Sequence, residues 1–176
     1  NRLGFSFDCI ATGFLASDKQ VDLLCDFIKS QEKEGLLVIT DPIMGDDGKL
    51  YNGVSDHTIL SMRRLLKISQ VIVPNLTEAQ FLTDAYIGQE ALSDKEQKDM
   101  IDRLRAYGAE SVIITSGRAA ESGDSVVWGY GKETDGYFTI PYERIDVNFP
   151  GTGDIFSALL TARLLEGQKL EEATRS

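Results

Sequence analysis

The sequence predicts an α/β fold, with a mostly parallel sheet between two layers of helices and an antiparallel meander along one edge. Three observations carry this expectation. Short β-rich runs alternate with helical patterns over the first two-thirds of the chain, which is the rhythm of strand–helix–strand units. Some of those runs, such as LLVIT at Leu36 to Thr40, are continuously apolar, as expected of strands covered on both faces. From Ser125 onward the helical pattern stops and strand-like runs follow one another across glycine-rich turns.

Taken in order, Phe7 to Ile10 reads as a strand, followed by a turn at Ala11-Thr12-Gly13. Ser17 and Gln20 form a capping box, and Val21, Leu24, Cys25 and Ile28 then recur at helical spacing. Leu36 to Thr40 is the next strand, Thr58 to Leu66 a helix, and Val71 to Val73 another buried strand. Ser93 and Glu96 make a second capping box ahead of Met100, Ile101, Leu104 and Tyr107, and Gly108 ends that helix. VIIT at Val112 to Thr115 is a strand, and Ser125 to Tyr130, Gly136 to Tyr142 and Arg144 to Val147 form the meander. A helix from Asp154 through Leu165 follows Gly151-Thr152-Gly153. With no repeat, low-complexity stretch or linker, residues 1–176 read as a single domain.

Composition narrows the function. Hydrophobic residues make up 42% and charged residues 26%, the balance of a soluble globular chain. The net charge of −10 argues against a nucleic-acid partner, because phosphate backbones call for a basic face. There is no apolar run of about 18 residues to span a membrane and no visible signal peptide, so the expected location is cytoplasmic. Cys9 and Cys25 sit in apolar stretches and read as reduced core residues, and one histidine with no C-x-x-C pair excludes a zinc site. The chain opens without methionine and closes where an amphipathic helix has only begun, so we expect a domain truncated at both ends.

The sharpest chemical signal is NFPGTGDIFSALLTARLL, Asn148 to Leu165. Two glycines flank Thr152 where a strand region hands over to an apolar helix. The unpaired N–H groups and the dipole at such a start favour phosphate oxygens. Asp154 stands at the same helix start, where an acidic residue can equally be a simple cap. Asn75 and Glu78 in VPNLTE follow a buried strand and open a helix. Glu78 reads either as a helix-start charge or as a carboxylate for hydrated magnesium. Asp41-Pro42-Ile43-Met44-Gly45-Asp46-Asp47-Gly48 lies past LLVIT, and Thr115-Ser116-Gly117 ends the VIIT strand. Each could be an ordinary turn, but ligands of open α/β sheets bind beyond the carboxyl ends of the strands, where all these segments fall.

Together these segments resemble the ribokinase-like superfamily, of three-layer α/β/α fold, and within it the pyridoxal (vitamin B6) kinases. GTGD at Gly151 to Asp154 is similar to that family's anion hole and catalytic base. PNLTE at Pro74 to Glu78 resembles its magnesium and phosphate motif, and DPIMGDDGKLY at Asp41 to Tyr51 its Asp-Pro segment with the following tyrosine. ITSG at Ile114 to Gly117 resembles the strand end that meets ATP phosphates, and TGFLAS at Thr12 to Ser17 the segment beside the pyridoxal pocket. The likeness runs through nearly the whole chain in order. Phe14 stands where many relatives have tyrosine, and Val73 where some have a threonine linked to a monovalent cation. The family's N-terminal strands are absent from this sequence.

The resemblance implies an ATP-dependent kinase acting on the 5′-hydroxyl of pyridoxal, with ATP and Mg²⁺ and an open question over a monovalent cation. Asp154 would take the hydroxyl proton, and the N–H groups of Gly151, Thr152 and Gly153 would steady the transferring phosphoryl group. Glu78 and Asp46 would help hold magnesium, Asn75, Thr115 and Ser116 would contact phosphates, and Asp41 would be a further electrostatic or cation-linked partner. Thr12 and Phe14 would border the substrate, and a homodimer is implied by the same resemblance. His57 reads as a surface or capping residue, and Trp128 as packing the meander or bordering the adenine site. The rival within the fold is a hydroxymethylpyrimidine kinase, a group that typically carries cysteine at the position of Asp154. Another ribokinase-like kinase, acting on a sugar, fits DPIMGDDGKLY less well. The rival of another class is a non-catalytic ligand-binding fragment, since the chain alone lacks the N-terminal pocket segments and could be inactive.

Overall fold

The computed structural model describes residues 5–31, 35–145 and 149–175. The main sheet has six strands in the order β1-β2-β5-β6-β7-β8: β1 Cys9–Thr12, β2 Leu37–Thr40, β5 Val71–Ile72, β6 Ser111–Arg118, β7 Ser125–Gly131 and β8 Gly136–Pro141. The first four are parallel neighbours, and β7 and β8 complete an antiparallel meander at the edge. A separate hairpin, β3 Gly45–Asp46 with β4 Lys49–Leu50, stands off the sheet.

Alternation along the strands builds two cores. Ile72, Val112, Ile114 and Trp128 face a layer made by α1 Asp18–Ser30, α2 Asp56–Leu66, α3 Leu76–Thr83 and α4 Asp94–Ala106. Val71, Val73, Ile113, Phe138 and Ile140 face the opposite way, onto Leu160 of α5 Thr152–Leu165 and Leu170 and Ala173 of α6 Leu170–Arg175. Helices thus cover both faces, as the uninterrupted apolar strands require. α5 is apolar on nearly every side, yet Ile155, Leu159 and Leu165 are all more than half exposed. Among the described residues no helix is long and apolar enough to cross a membrane, and both cysteines are free.

Local signals explain most boundaries. Ser17 accepts from the Gln20 N–H, but the Gln20 side chain reaches Ala16 rather than Ser17, so only half of the expected box forms. At α4 the Ser93 N–H donates to Glu96 as expected, and Gly108 follows at φ +119°. β1 runs two residues later than expected, absorbing Ala11 and Thr12, because it is set by its register against β2, with Thr12 opposite Thr40. The strand expected at Arg144 to Val147 does not form at residues 144 and 145, and 146–148, including Asn148, lie outside the described residues. The β3–β4 hairpin was not expected from DPIMGDDGKLY. It is only two residues per strand, too short for a period-of-two pattern to register.

Candidate active site

Because β1, β2, β5 and β6 run parallel and side by side, their carboxyl ends share one rim. In that order the rim carries Thr12, then Asp41, then Asn75 with Glu78, then Thr115 with Ser116. The backbone ties these ends together: Asp41 N–H donates to Thr12 O, Val73 N–H to Thr40 O and Thr115 N–H to Pro74 O, and Asn75 forms a parallel bridge with Thr115. At Thr115-Ser116 the ladder to β7 slips and Ser116 takes a left-handed φ of +57°, a bulge inside β6, which pairs again at Gly117 and Arg118 and so runs past the Thr115 end expected from VIIT.

Asn75 and Glu78 cap the start of α3 reciprocally: Glu78 N–H donates to Asn75 Oδ1 at 2.9 Å, and Asn75 N–H to Glu78 Oε2 at 2.8 Å. The same two side chains dock the loop after β2. Met44 N–H donates to Glu78 Oε1 at 3.0 Å, Asn75 Nδ2 donates to Gly45 O at 2.8 Å, and Gly48 N–H donates to the Thr77 hydroxyl at 2.8 Å. Gly45 is required there, since a Cβ would lie 2.4 Å from Lys49 O across the hairpin. Asp46, at the exposed end of β3, accepts from Asp47 N–H.

Glu78 is 3% exposed, and burial pushes its carboxyl up to about 8 against the pull of the backbone N–H bonds from Asn75 and Met44, with the charge of Asp41 adding to the rise. Asp41 is pushed up to about 6, again by burial first, with the Ser157 hydroxyl drawing it down and the charge of Asp154 drawing it up. Asp41 therefore feels α5 on one side and Glu78 on the other. Burial, then Asp46, Glu78, Asp47 and Asp41, also holds the Tyr51 hydroxyl above its ordinary value. The rim is thus rich in carboxylates and suits a cation-bearing ligand. Among the described residues no three His, Cys, Asp or Glu side chains are grouped to hold a metal unaided. Such a donor set fits a hydrated magnesium that keeps its waters and needs only one or two carboxylates.

α5 brings the remaining candidates to this rim. Its N-cap is Gly151, at φ +90° with no side-chain cap, so the first N–H groups of the helix stay free of side-chain partners from the cap. A Cβ on Gly153 would stand 4.0 Å from Asp41 Oδ2, and Ser157 donates to that same oxygen at 3.0 Å. Asp154 lies in the exposed first turn between them, and Thr152 begins the helix.

Two substrate candidates take different environments. The Thr12 hydroxyl points inward, donating to Thr40 at 3.1 Å in a buried chain that continues through Ser69 to Leu65 O. Phe14 is 58% exposed on the loop after β1. Trp128 is fully buried under α4, packing the meander, with its ring against Gly117. Ser157 and Thr77 went unnoticed in the sequence. Ser157 is three residues past Asp154 on the same helix, but its partner lies 116 residues away and no local pattern marks the pair.

Residues 3–176 match the model of the phosphomethylpyrimidine kinase family, and the chain belongs to that family, within the ribokinase-like superfamily. It superposes with a TM-score of 0.89 and 34% identity on a Bacteroides thetaiotaomicron protein provisionally named phosphomethylpyrimidine kinase and solved with pyridoxal, covering 99% of this chain and 61% of that one. It is 32% identical to pyridoxine kinase of Bacillus subtilis, over 97% of this chain and 60% of the relative. It is 30% identical to hydroxymethylpyrimidine/phosphomethylpyrimidine kinase of Haemophilus influenzae, over 93% of this chain and 60% of the relative. The chain spans about half to three-fifths of the length of the curated relatives it matches.

Proposed function

We propose that this chain is the nucleotide-binding and catalytic part of an ATP-dependent kinase that phosphorylates the 5′-hydroxyl of pyridoxal. The observation that carries the reading is Asp41, which takes a hydrogen bond from α5 beside Asp154 and is electrostatically coupled to Glu78. One carboxylate thus links the glycine-flanked helix start to the Asn75–Glu78 cap, which supports reading the two as parts of one phosphoryl-transfer site.

Phosphoryl transfer asks the protein for alignment, charge neutralisation and a base. Asp154, exposed at the helix start, would accept the proton of an attacking hydroxyl. The N–H groups of Gly151 to Gly153, at the start of the same helix, would stabilise charge that grows on phosphoryl oxygens. Asn75, Thr115 and Ser116 would contact nucleotide phosphates, and Asp46 would hold a hydrated magnesium with Glu78 behind it. Both Glu78 oxygens already accept backbone N–H groups, so this residue would act through water and through the hairpin it anchors. Magnesium would neutralise phosphate charge when bound. The cytoplasm, a homodimer and a cation near Asp41 belong to the same proposal.

A second reading, a hydroxymethylpyrimidine kinase, is favoured by the family's name and by the Haemophilus influenzae relative. Asp154 weighs against it, since that group resembles this chain but typically has cysteine there. The test is ATP consumption by the full-length protein with pyridoxal, pyridoxine, hydroxymethylpyrimidine and ribose as acceptors. Preference for pyridoxal is expected, and preference for hydroxymethylpyrimidine would reverse the order. Asp154→Ala should lower kcat by at least about a hundredfold while ATP binding survives. Turnover near wild type would remove Asp154 as the base.

A further inference from the structure

Ser157 lies one turn beyond Asp154 and was given no role of its own in the scheme above, yet it is the residue of α5 whose hydroxyl donates to Asp41 Oδ2, at 3.0 Å. We propose that Ser157 is a positioning residue that clamps the N-terminal part of α5 to the end of β2 through Asp41, and so fixes where Asp154 and the first N–H groups of the helix stand. The inference rests on the kinase reading and deepens it.

α5 needs such a clamp. Leu160 is its one fully buried residue, helped by the half-buried Phe156 and Leu164, and these apolar contacts are non-directional. They resist lifting of the helix but set its position along its own axis poorly. Gly151 supplies no side-chain cap to define the start. A hydrogen bond to a carboxylate is directional, stronger than a neutral one, and here lies on the turn directly after the one that carries Asp154. Asp41 is itself anchored: its N–H donates to Thr12 O, and its carbonyl accepts from Ile43 N–H at 2.9 Å. Gly153 lies on the same side of α5, since a Cβ there would stand 4.0 Å from Asp41 Oδ2.

The groups that face Asp41 explain why a hydroxyl suits this place. Asp154 from α5, Glu78 from α3 and Tyr51 after β4 all bear on it and none is a cation. Ser157 donates without adding charge, which helps keep Asp41 ionised without neutralising Asp154. Displacing a reacting group by about 1 Å can cost on the order of a hundredfold in rate, so a clamp of this kind acts on kcat rather than on binding.

The experiment compares wild type, Ser157→Ala and Ser157→Thr in the full-length protein, with ATP–Mg²⁺ and pyridoxal. For Ser157→Ala the expected result is a fall in kcat of about tenfold, the loss of one hydrogen bond to a charged group. Both KM values should hold within about twofold. Ser157→Thr keeps the hydroxyl and should restore most of kcat. A merely structural serine would lower thermal stability and leave kcat of the folded protein and both KM values in place. Wild-type kcat in Ser157→Ala, with an active wild type, overturns the clamp alone. A wild type that transfers phosphate to no acceptor overturns the kinase reading, and the clamp with it.

Discussion

Replacing Glu78 by glutamine should change how stability depends on pH more than it changes stability itself. The Glu78 carboxyl titrates near 4.5 when the chain is unfolded and near 8 in the folded protein. Between those values the folded state binds more protons than the unfolded one. Its contribution is therefore full below about 4.5 and is lost as pH rises through 8. At ~1.4 kcal/mol per pH unit the window amounts to about 5 kcal/mol. Glutamine does not titrate, so this slope disappears. It also has one acceptor oxygen where Glu78 uses two, for Met44 N–H and Asn75 N–H, so one buried N–H is left facing an amide at a cost of about 1–3 kcal/mol. The variant should thus be less stable than wild type at pH 5, and the two should converge and cross toward pH 8. Asp41, shifted from 3.8 to about 6, loses stability over its own, lower window in both proteins. Urea unfolding at pH 5, 6.5 and 8, followed by emission of the single, fully buried Trp128, reads this directly. A constant gap between the two curves at all three pH values would refute the assignment of Glu78 as a buried, proton-binding carboxyl.

Other outcomes follow from packing and from the proposed chemistry. Gly45→Ala places a methyl 2.4 Å from the Lys49 carbonyl, so the β3–β4 hairpin must open. Affinity for nucleotide, measured by calorimetry, should fall at least about tenfold if Asp46 and its neighbours serve the ligand. Gly117→Ala puts a methyl 2.8 Å from the Trp128 ring and should destabilise the protein by about 1–3 kcal/mol, with a change in Trp128 emission; an unchanged spectrum and midpoint would contradict the packing. Removing divalent metal with EDTA should abolish turnover, and added Mg²⁺ should restore it. Turnover indifferent to chelation would take magnesium out of the scheme.

Much of the fold was legible because its signals are local. Continuous apolar runs marked β2, β5 and β6, and Ser93 with Glu96 marked the start of α4, since each needs only neighbours in sequence. The edges of the reading failed where tertiary partners decide. β1 takes its limits from pairing with β2, and the β3–β4 hairpin exists because Asn75, Thr77 and Glu78 hold it from a helix some 30 residues away. The same division applies to the candidate site. Asn75, Glu78, Asp154 and the flanking glycines stood out as residue types suited to phosphate and metal. That Glu78 spends both oxygens on backbone N–H groups, that the Thr12 hydroxyl turns inward, and that Ser157 meets Asp41 are facts of three-dimensional contact with no local trace.

The two helices that bracket the sheet are seated very differently. α4 sinks Met100, Ile101 and Leu104 into the interior, whereas α5 commits little more than Leu160 and leaves Ile155 and Leu159 in water. Local opening free energies track how many apolar contacts a segment must break. Backbone amides of α5 in this chain should therefore trade hydrogen for deuterium well before those of α4, so the segment bearing Asp154 is the one that breathes first.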